Sequence, residues 1–473
     1  MELHGKNLSK DNLFIVGGWV RDKLLGKNNP DIDFVVFGDP LLAATRISAS
    51  LKGRVVHLDD KNGVYRVVLK NSPGIEYMDF AAAKGKDLFS DLSKRDFTIN
   101  AMAVPLADMR CFIDPLKGTQ DLKKKTIRMT GPGVFKSDPL RILRAFRFSA
   151  QLGFKIDKPT LKQISRDYKL MSKPAGERVR DELFKILACK NSHLHISAID
   201  DLNILSRIIP EIDKMKKSAR NFYFHPKGLW QHSLETLSGL EEIALTVQSI
   251  FGANSKKVIA HLSEPLSNGV TRLTLLKLVA LLHDVAKPAC AGKIEGKMRF
   301  LGHELAGAKI AENILLRLKL SKHEINIAKQ LIEHHMRPIS LGQSNVVTER
   351  AIYRLFRDVE NNVIDLMVLT LSDCYSYRRL KTKKAVELKK LKLMAKMIVD
   401  KYFKSLENKK KPKIIDGNML MNQFRLKPGP IIGELLKDAN EAFAIGEVSS
   451  KADAFLMLSG KLTRLKKKYR IKQ

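Results

Sequence analysis

Two aspartates, one residue apart, are the first groups in this chain that could hold a metal ion. In the stretch LFIVGGWVRDKLLGKNNPDID, residues 13–33, an apolar run Leu13–Val16 ends at Gly17-Gly18, and Asp31-Ile32-Asp33 opens a second apolar run to Phe37. Side chains alternate along a strand, so Asp31 and Asp33 share one face and Ile32 takes the other. Two carboxylates a few ångströms apart repel each other unless a cation lies between them. Hard Mg²⁺ takes such oxygens and usually brings a substrate phosphate with it. The glycine turn ahead of a helix over Val20–Leu25 gives the backbone close access to phosphate oxygens, and helix N-terminal N–H groups attract anions. Metal pair and phosphate cradle together point to phosphoryl or nucleotidyl transfer. A lone Asp-x-Asp is usually a solvated strand edge and a lone Gly-Gly only a turn; the combination with Arg21-Asp22 is more specific.

Further along, Arg95 can pair with a triphosphate, while Asp96 and Asn100 offer groups for a ribose hydroxyl or for ordering the site. The plain alternative is a surface helix start capped by Asp96. Asp138-Pro139 reads as a helix cap followed by proline at the first helical position. At roughly 100° per residue, Asp138, Arg141 and Arg144 share one arc, and Ile142, Leu143 and Phe146 fill another. One acceptor beside rigid guanidinium donors can pair with the edge of a base. A third set lies in helical sequence: His232, His283-Asp284, His303, His334 and Asp373. A single buried histidine is more often a core residue, but His-Asp at the end of the apolar helix Leu273–Asp284 is a stronger signal. Imidazole with carboxylate suits Mn²⁺, Ni²⁺, Zn²⁺ or Mg²⁺, and the spacing does not choose among them.

These residues need a scaffold, and the chain is long enough for several. It has 473 residues, room for two to four domains, with an ordinary hydrophobic fraction of 44%. Lys plus Arg outnumber Asp plus Glu by 84 to 50, a net charge of +34, which favours a polyanionic partner, nucleic acid first. The four cysteines lie far apart with no Cys-x-x-Cys pair, so neither a zinc ribbon nor a disulfide framework is indicated, and a reducing cytoplasm fits. The N-terminus lacks a signal-peptide core, and the most apolar stretch, Leu273–Leu282, is too short to span a bilayer and contains Lys277; no membrane partner is expected. A helix over residues 40–51 and strands over Val55–Leu58, Val64–Leu69 and Ile75–Phe80 fill the first part, with a turn at residues 59–63. From about residue 133 the pattern is almost wholly helical. Lys409–Lys413 reads as an exposed linker, and Arg464–Lys472 as a basic tail.

Gly17-Gly18-x-x-Arg21-Asp22 with Asp31-x-Asp33, and the string Arg95-Asp96-Phe97-Thr98-Ile99-Asn100-Ala101, resemble the first two motifs of the bacterial (class II) tRNA nucleotidyltransferases, the CCA-adding enzymes and their poly(A) polymerase relatives. Ile113-Asp114-Pro115 with Gly118 and Asp121-Leu122 is similar to the weaker third motif. Asp138-x-x-Arg141 resembles the fourth, ED-x-x-R, with Ser137 where the usual glutamate stands, and Glu177-Arg178-Val179-Arg180-Asp181-Glu182 the fifth, a neck-stabilising element. His232, His283-Asp284 and Asp373 resemble an HD phosphohydrolase domain, with His303 and His334 matching the extra histidines of its two-metal members.

The resemblance implies an α+β nucleotidyltransferase head (a small mixed sheet with helices, 1–128), an all-α neck and RNA-binding body (129–218), an HD domain (219–380) and a basic helical tail (381–473). It implies Mg²⁺ on the catalytic Asp31 and Asp33. Nucleotide contacts would come from Gly17, Gly18, Arg21, Arg95, Asp96, Asn100, Asp138, Arg141, Arg144 and Arg147, and an HD metal would sit on the six His and Asp residues, with Lys287 near the phosphate. The implied partners are tRNA, CTP and ATP, the implied reaction template-independent CCA addition, and the implied HD substrate a cyclic or terminal phosphate. Only about fifteen residues separate Asp79 from Arg95, where full CCA-adding members often carry a longer flexible stretch, so CC-adding, A-adding and poly(A)-adding activities stay open. A non-catalytic tRNA-binding protein, or one whose working enzyme is the HD domain alone, is the alternative of another class.

Overall fold

The computed structural model describes residues 12–59, 63–69, 74–218, 227–267, 269–343, 347–377, 383–408 and 415–468. Contacts divide the chain into two compact units, Met1–Pro210 and Glu211–Gln473. The helix Glu211–Lys217 packs on Leu229–Leu245 in the second unit. The expected linker 409–413, residues 60–62 of the expected turn and the tail beyond 468 lie outside the described residues.

The first unit is built on a sheet of β1 (Leu13–Val16), β2 (Asp31–Val36), β3 (Arg54–Asp59), β4 (Val64–Val68), β5 (Tyr77–Ala82) and β6 (Ala103–Pro105), in the order β3-β4-β5-β2-β1-β6. β2 and β5 run parallel and every other neighbouring pair antiparallel. The alternation of β2 holds: Ile32 and Phe34 are buried while Asp31 and Asp33 stand on the open face. Beneath them Phe34 and Phe80 stack with ring centroids 4.7 Å apart. Helix α1 (Gly18–Leu24) starts two residues before the expected Val20, because Gly17 turns the chain at φ 74 directly off the strand. Helix α2 (Pro40–Leu51) is capped by the Asp39 side chain and has the expected span. β5 begins at Tyr77, two residues after the expected Ile75. The register between β2 and β5 sets Asp33 opposite Asp79.

Beyond the head, the helix Arg141–Leu152 buries Ile142, Leu143 and Phe146 as the periodicity predicts. It begins later than Pro139: Asp138 is extended (φ −149, ψ 102), and the entry is a tight turn with Arg141 N–H bonded to Asp138 O at 3.1 Å. The helix Gly176–Leu187 packs across it. The second unit places Leu229–Leu245, Arg272–Leu282, His303–Arg317, Lys322–His334 and Val363–Tyr375 around one core. It is not wholly helical, because Gly292–Ile294 pairs with Lys297–Arg299 in a hairpin. Its turn takes positive φ at Glu295 (49) and Gly296 (72), the twist that suits two-residue hairpins. Among the described residues no helix is long and apolar enough to cross a membrane.

The Phe34–Phe80 stack is the floor under the paired aspartates. Phe80→Ala is expected to cost about 3–5 kcal/mol of unfolding free energy, measured by urea denaturation, and Phe80→Leu clearly less.

Candidate active site and candidate metal centre

A cavity of about 550 Å³ opens above the sheet, lined among others by Gly17, Gly18, Asp33, Asp79, Asp138 and Arg144. Asp33 faces this cavity. Its carboxyl is pushed up to about 6, first by desolvation at the cavity floor; Arg95 opposes the shift, and Asp79 and Asp31 add to it by like charge. Asp31 stands on the same strand face at the exposed end of β2. Asp79 is a third carboxylate that sequence reasoning passed over. Arg66 on β4 grips it with two bonds, Nε to Oδ1 and Nη2 to Oδ2, both 2.7 Å. The Gly17 turn passes so close that a Cβ there would lie 3.2 Å from both Arg95 Nη1 and Asp33 Oδ2. Oxygen donors of this kind, gathered with their like charge only partly compensated by Arg66 and Arg95, fit a hard divalent cation.

Asp96, read from the sequence as a group for a ribose hydroxyl or for ordering the site, with a capped surface helix start as the alternative, is buried at the junction of sheet and neck and borders the cavity. Its Oδ1 accepts from Phe97 N–H at 2.8 Å and Asn100 Nδ2 at 3.0 Å, and its Oδ2 from Arg144, at 2.8 Å from Nε and 2.6 Å from Nη2. Burial works against its charge, but Arg144, Asn100 and the Phe97 amide outweigh it and hold the carboxyl below its ordinary range. Asn100 in turn accepts from Arg21 Nη1 at 2.8 Å, and Arg21 forks onto Asp22 with two bonds of 2.8 Å. Arg21, Asp96 and Asn100 therefore line the cavity while engaged with one another. Arg95 also lines it and lies 3.3 Å from Asp91. Arg147 ion-pairs with Glu182 at 2.8 Å.

The stripe of Asp138, Arg141 and Arg144 faces the same cavity as Asp33. Arg141 donates to Lys94 O at 2.8 Å and to the Ser137 hydroxyl at 3.3 Å, so the serine in the glutamate position still touches the arginine, though without a charge. Asp138 accepts from Leu140 N–H at 3.2 Å and from Arg178 Nη2 at 2.8 Å. Arg178 was expected only to stabilise the neck.

In the second unit, His232, His283, Asp284, His303 and Asp373 converge, and His335 rather than His334 stands with them. His334 ends the helix Lys322–His334, half-buried beside Arg337, where burial first and that guanidinium second lower its pKa. The next residue turns inward, and burial lowers the pKa of His335. Donor atoms of His232, His283 and Asp373, and of His283, Asp284 and His335, lie within 4.8 Å of one another.

The rings are aimed by their other nitrogens. Nδ1 of His283, His303 and His335 donates to the carbonyls of Ala280, Phe300 and Ile332 at 2.9, 2.7 and 2.7 Å. Each Nε2 is left pointing inward, the arrangement metal-ligating histidines adopt. Asp284 stands between two groups: Oδ2 lies 3.4 Å from His232 and 3.3 Å from His283, and Oδ1 3.5 Å from both His303 and His335. Asp284 Oδ1, His303 Nε2 and His335 Nε2 are buried without a hydrogen bond, so the donor set fits a cation. Lys287 bonds Asp284 Oδ2 at 2.6 Å.

The Asp96 network holds the sheet to the neck helix. Asp96→Ala leaves Arg144 with only the more distant Glu182, 3.9 Å away, and is expected to cost about 3 kcal/mol in urea denaturation, the low end for a broken buried pair because Arg144 keeps that partner and some solvent contact.

Comparison with known proteins bears on both sites. The family described as the poly A polymerase head domain matches residues 13–128, the probable RNA and SrmB-binding site of polymerase A residues 153–216, and the HD domain residues 229–378. The A-adding tRNA nucleotidyltransferase of Deinococcus radiodurans is 31% identical over 449 residues, covering 93% of each chain. The CC-adding tRNA nucleotidyltransferase of Geobacter sulfurreducens is 35% identical over 278 residues, 58% of this chain and 60% of that protein. A solved CCA-adding enzyme with CTP has the same fold, with TM-score 0.63 at 24% identity over 96% of this chain and 91% of that one. Matched along nearly its whole length, the chain belongs to the tRNA nucleotidyltransferase family and carries an HD domain behind its polymerase head.

Proposed function

We propose that this protein adds C and A residues to the 3′ end of tRNA from CTP and ATP without a nucleic-acid template, in the cytoplasm. The observation that carries this is a single cavity with carboxylates and a glycine turn on one wall and the Asp138–Arg141–Arg144 stripe on another. Asp31 and Asp33, with Asp79 beside them, would hold Mg²⁺, which when bound supplies activation of the attacking hydroxyl and stabilisation of the leaving oxygen. The Gly17-Gly18 turn and the start of α1 offer backbone N–H groups to the triphosphate, with Arg95 beside them. The Arg21–Asn100–Asp96–Arg144 chain holds these parts in register. Cytosine and adenine both place an amine donor beside a ring-nitrogen acceptor, and Asp138 with Arg141 offers the complement. Residues 129–218 and the basic tail would hold tRNA by phosphate and shape, so binding weakens steeply with salt.

A CC-only activity is the second reading. The segment Ala83–Lys94 is short and pinned: Lys84 N–H bonds Asp91 Oδ1 at 2.9 Å, and Asp87 and Ser90 form a capping box at the helix Leu88–Ser93. Labelled CTP and ATP, separately and together, on tRNAs ending at the discriminator base, at C and at CC, separate the readings. Two C then one A is the expected product; two C and a stop supports CC addition, A alone on the CC end A addition, and long A runs a poly(A) polymerase. Asp31→Ala with Asp33→Ala is expected to cut incorporation by about 1,000-fold or more while tRNA binding survives. Surviving incorporation removes the metal-pair assignment.

For the second unit we propose a phosphohydrolase centre in which Asp284 serves two divalent cations. His232, His283 and Asp373 would complete one site, and His303 and His335 the other. In a chain already carrying Asp31→Ala and Asp33→Ala, His335→Ala is expected to lose about one equivalent of Mn²⁺ in equilibrium dialysis, and His334→Ala to lose none. Equal loss in both would return the ligand role to His334.

A further inference from the structure

Reading cytosine and adenine with one acceptor and one donor leaves a problem of size. The purine carries its amine edge farther from the sugar than the pyrimidine does, so the position of Asp138 along the cavity decides which base meets it. Two cavities bracket that carboxylate. One, about 550 Å³, holds Asp33 and the rest of the stripe; the other, the rear cavity of about 860 Å³, is lined by Lys173, Pro174 and Arg178 and by neither Asp33 nor Arg144, and Asp138 and Arg141 border both. Arg178 lines only the rear cavity. It reaches from the helix Gly176–Leu187 to Asp138 Oδ2 at 2.8 Å, while Oδ1 is held by Leu140 N–H at 3.2 Å. Arg141, three residues on, is held instead by Lys94 O and Ser137. Acceptor and donor thus have separate supports, and the support of the acceptor stands on the side of the rear cavity.

We propose that Arg178 is a positioning residue for base selection: it holds Asp138 back toward the rear cavity, making room for adenine, and without it Asp138 advances and the site favours cytosine. The inference rests on the reading of Asp138 and Arg141 as the base-recognition pair. Arg178 is 56% exposed along its side chain, so its replacement removes a tether and little packing. Lysine keeps the charge but not the planar fork, so it restores the tether only in part.

The test measures dissociation constants of CTP, ATP and UTP for the full-length chain with Mg²⁺ by equilibrium dialysis, and kcat/KM for each nucleotide that is incorporated. Arg178→Met is expected to shift the CTP:ATP binding ratio about tenfold toward CTP, with Arg178→Lys in between and thermal melting unchanged by more than a few degrees. A ratio within twofold of the parent, or equal losses for both nucleotides that lysine does not recover, overturns the inference and leaves Arg178 a neck residue. Asp138→Ala separates the underlying reading. If it erases discrimination against UTP while Arg178→Met leaves CTP:ATP unmoved, only the role of Arg178 fails. If discrimination against UTP survives Asp138→Ala, the base-recognition pair itself fails.

Discussion

Like charge held at close quarters is the constraint around which the first unit is arranged. Asp33 and Asp79 occupy paired positions on the parallel strands β2 and β5, with Asp31 one alternation away on β2. Carboxylates so placed would drive the strand edge apart if left to themselves. The sheet resists with the stacked Phe34–Phe80 floor, the Arg66 fork on Asp79 and the field of Arg95 on Asp33. Compensation remains partial, and a cation can use what is left. The strand order follows from the same need. The one parallel pairing within the six-stranded sheet brings a carboxylate from residue 79 beside one from residue 33, which the antiparallel neighbours β1 and β4 do not supply.

The second element of order is the run of buried polar contacts from Asp22 through Arg21, Asn100 and Asp96 to Arg144. A buried ion pair is weak evidence of net stability because its desolvation offsets the Coulomb gain. It does impose geometry. The chain ties α1, the segment around Asp96 and the helix Arg141–Leu152 into one arrangement, so the phosphate-side turn and the proposed base-side stripe are set at a fixed separation. Side chains expected at the substrate are in this way partly spent on holding the site in shape.

Much of this was legible wherever a local period decides the outcome. The alternation of Asp31-Ile32-Asp33-Phe34 gave the right faces, and the 3.6-residue pattern of Ile142, Leu143 and Phe146 gave the right buried side. Asp79 was not legible, because its place depends on which strand pairs with β2, a non-local choice. The Arg178–Asp138 bond joins residues 40 apart on separate helices, and nothing in either local pattern announces it. His334 and His335 differ by one position, which on a helix is a turn of roughly 100°. Choosing between them requires knowing how Lys322–His334 packs against its neighbours. The hairpin at Gly292–Arg299 did carry a signal, Glu295-Gly296 between short alternating runs, which the surrounding helical pattern masked.

The two units meet the same electrostatic problem with different donors. In the head every candidate ligand is a carboxylate oxygen, set in a cavity open to water and to a triphosphate that brings oxygens of its own. Hard Mg²⁺ suits that combination, since it sheds water reluctantly and accepts ligands from the substrate. In the second unit imidazoles outnumber carboxylates; Nδ1 of His283, His303 and His335 is fixed on backbone carbonyls, Nδ1 of His232 lies 2.9 Å from the Ser376 hydroxyl, and the inward Nε2 atoms of His303 and His335 are buried without a hydrogen bond. Such a set is preorganised by the protein before any substrate arrives, and its nitrogen donors favour later transition metals over Mg²⁺. One chain can therefore carry two phosphate chemistries with metals that compete little for each other's sites. The donor types keep them separate.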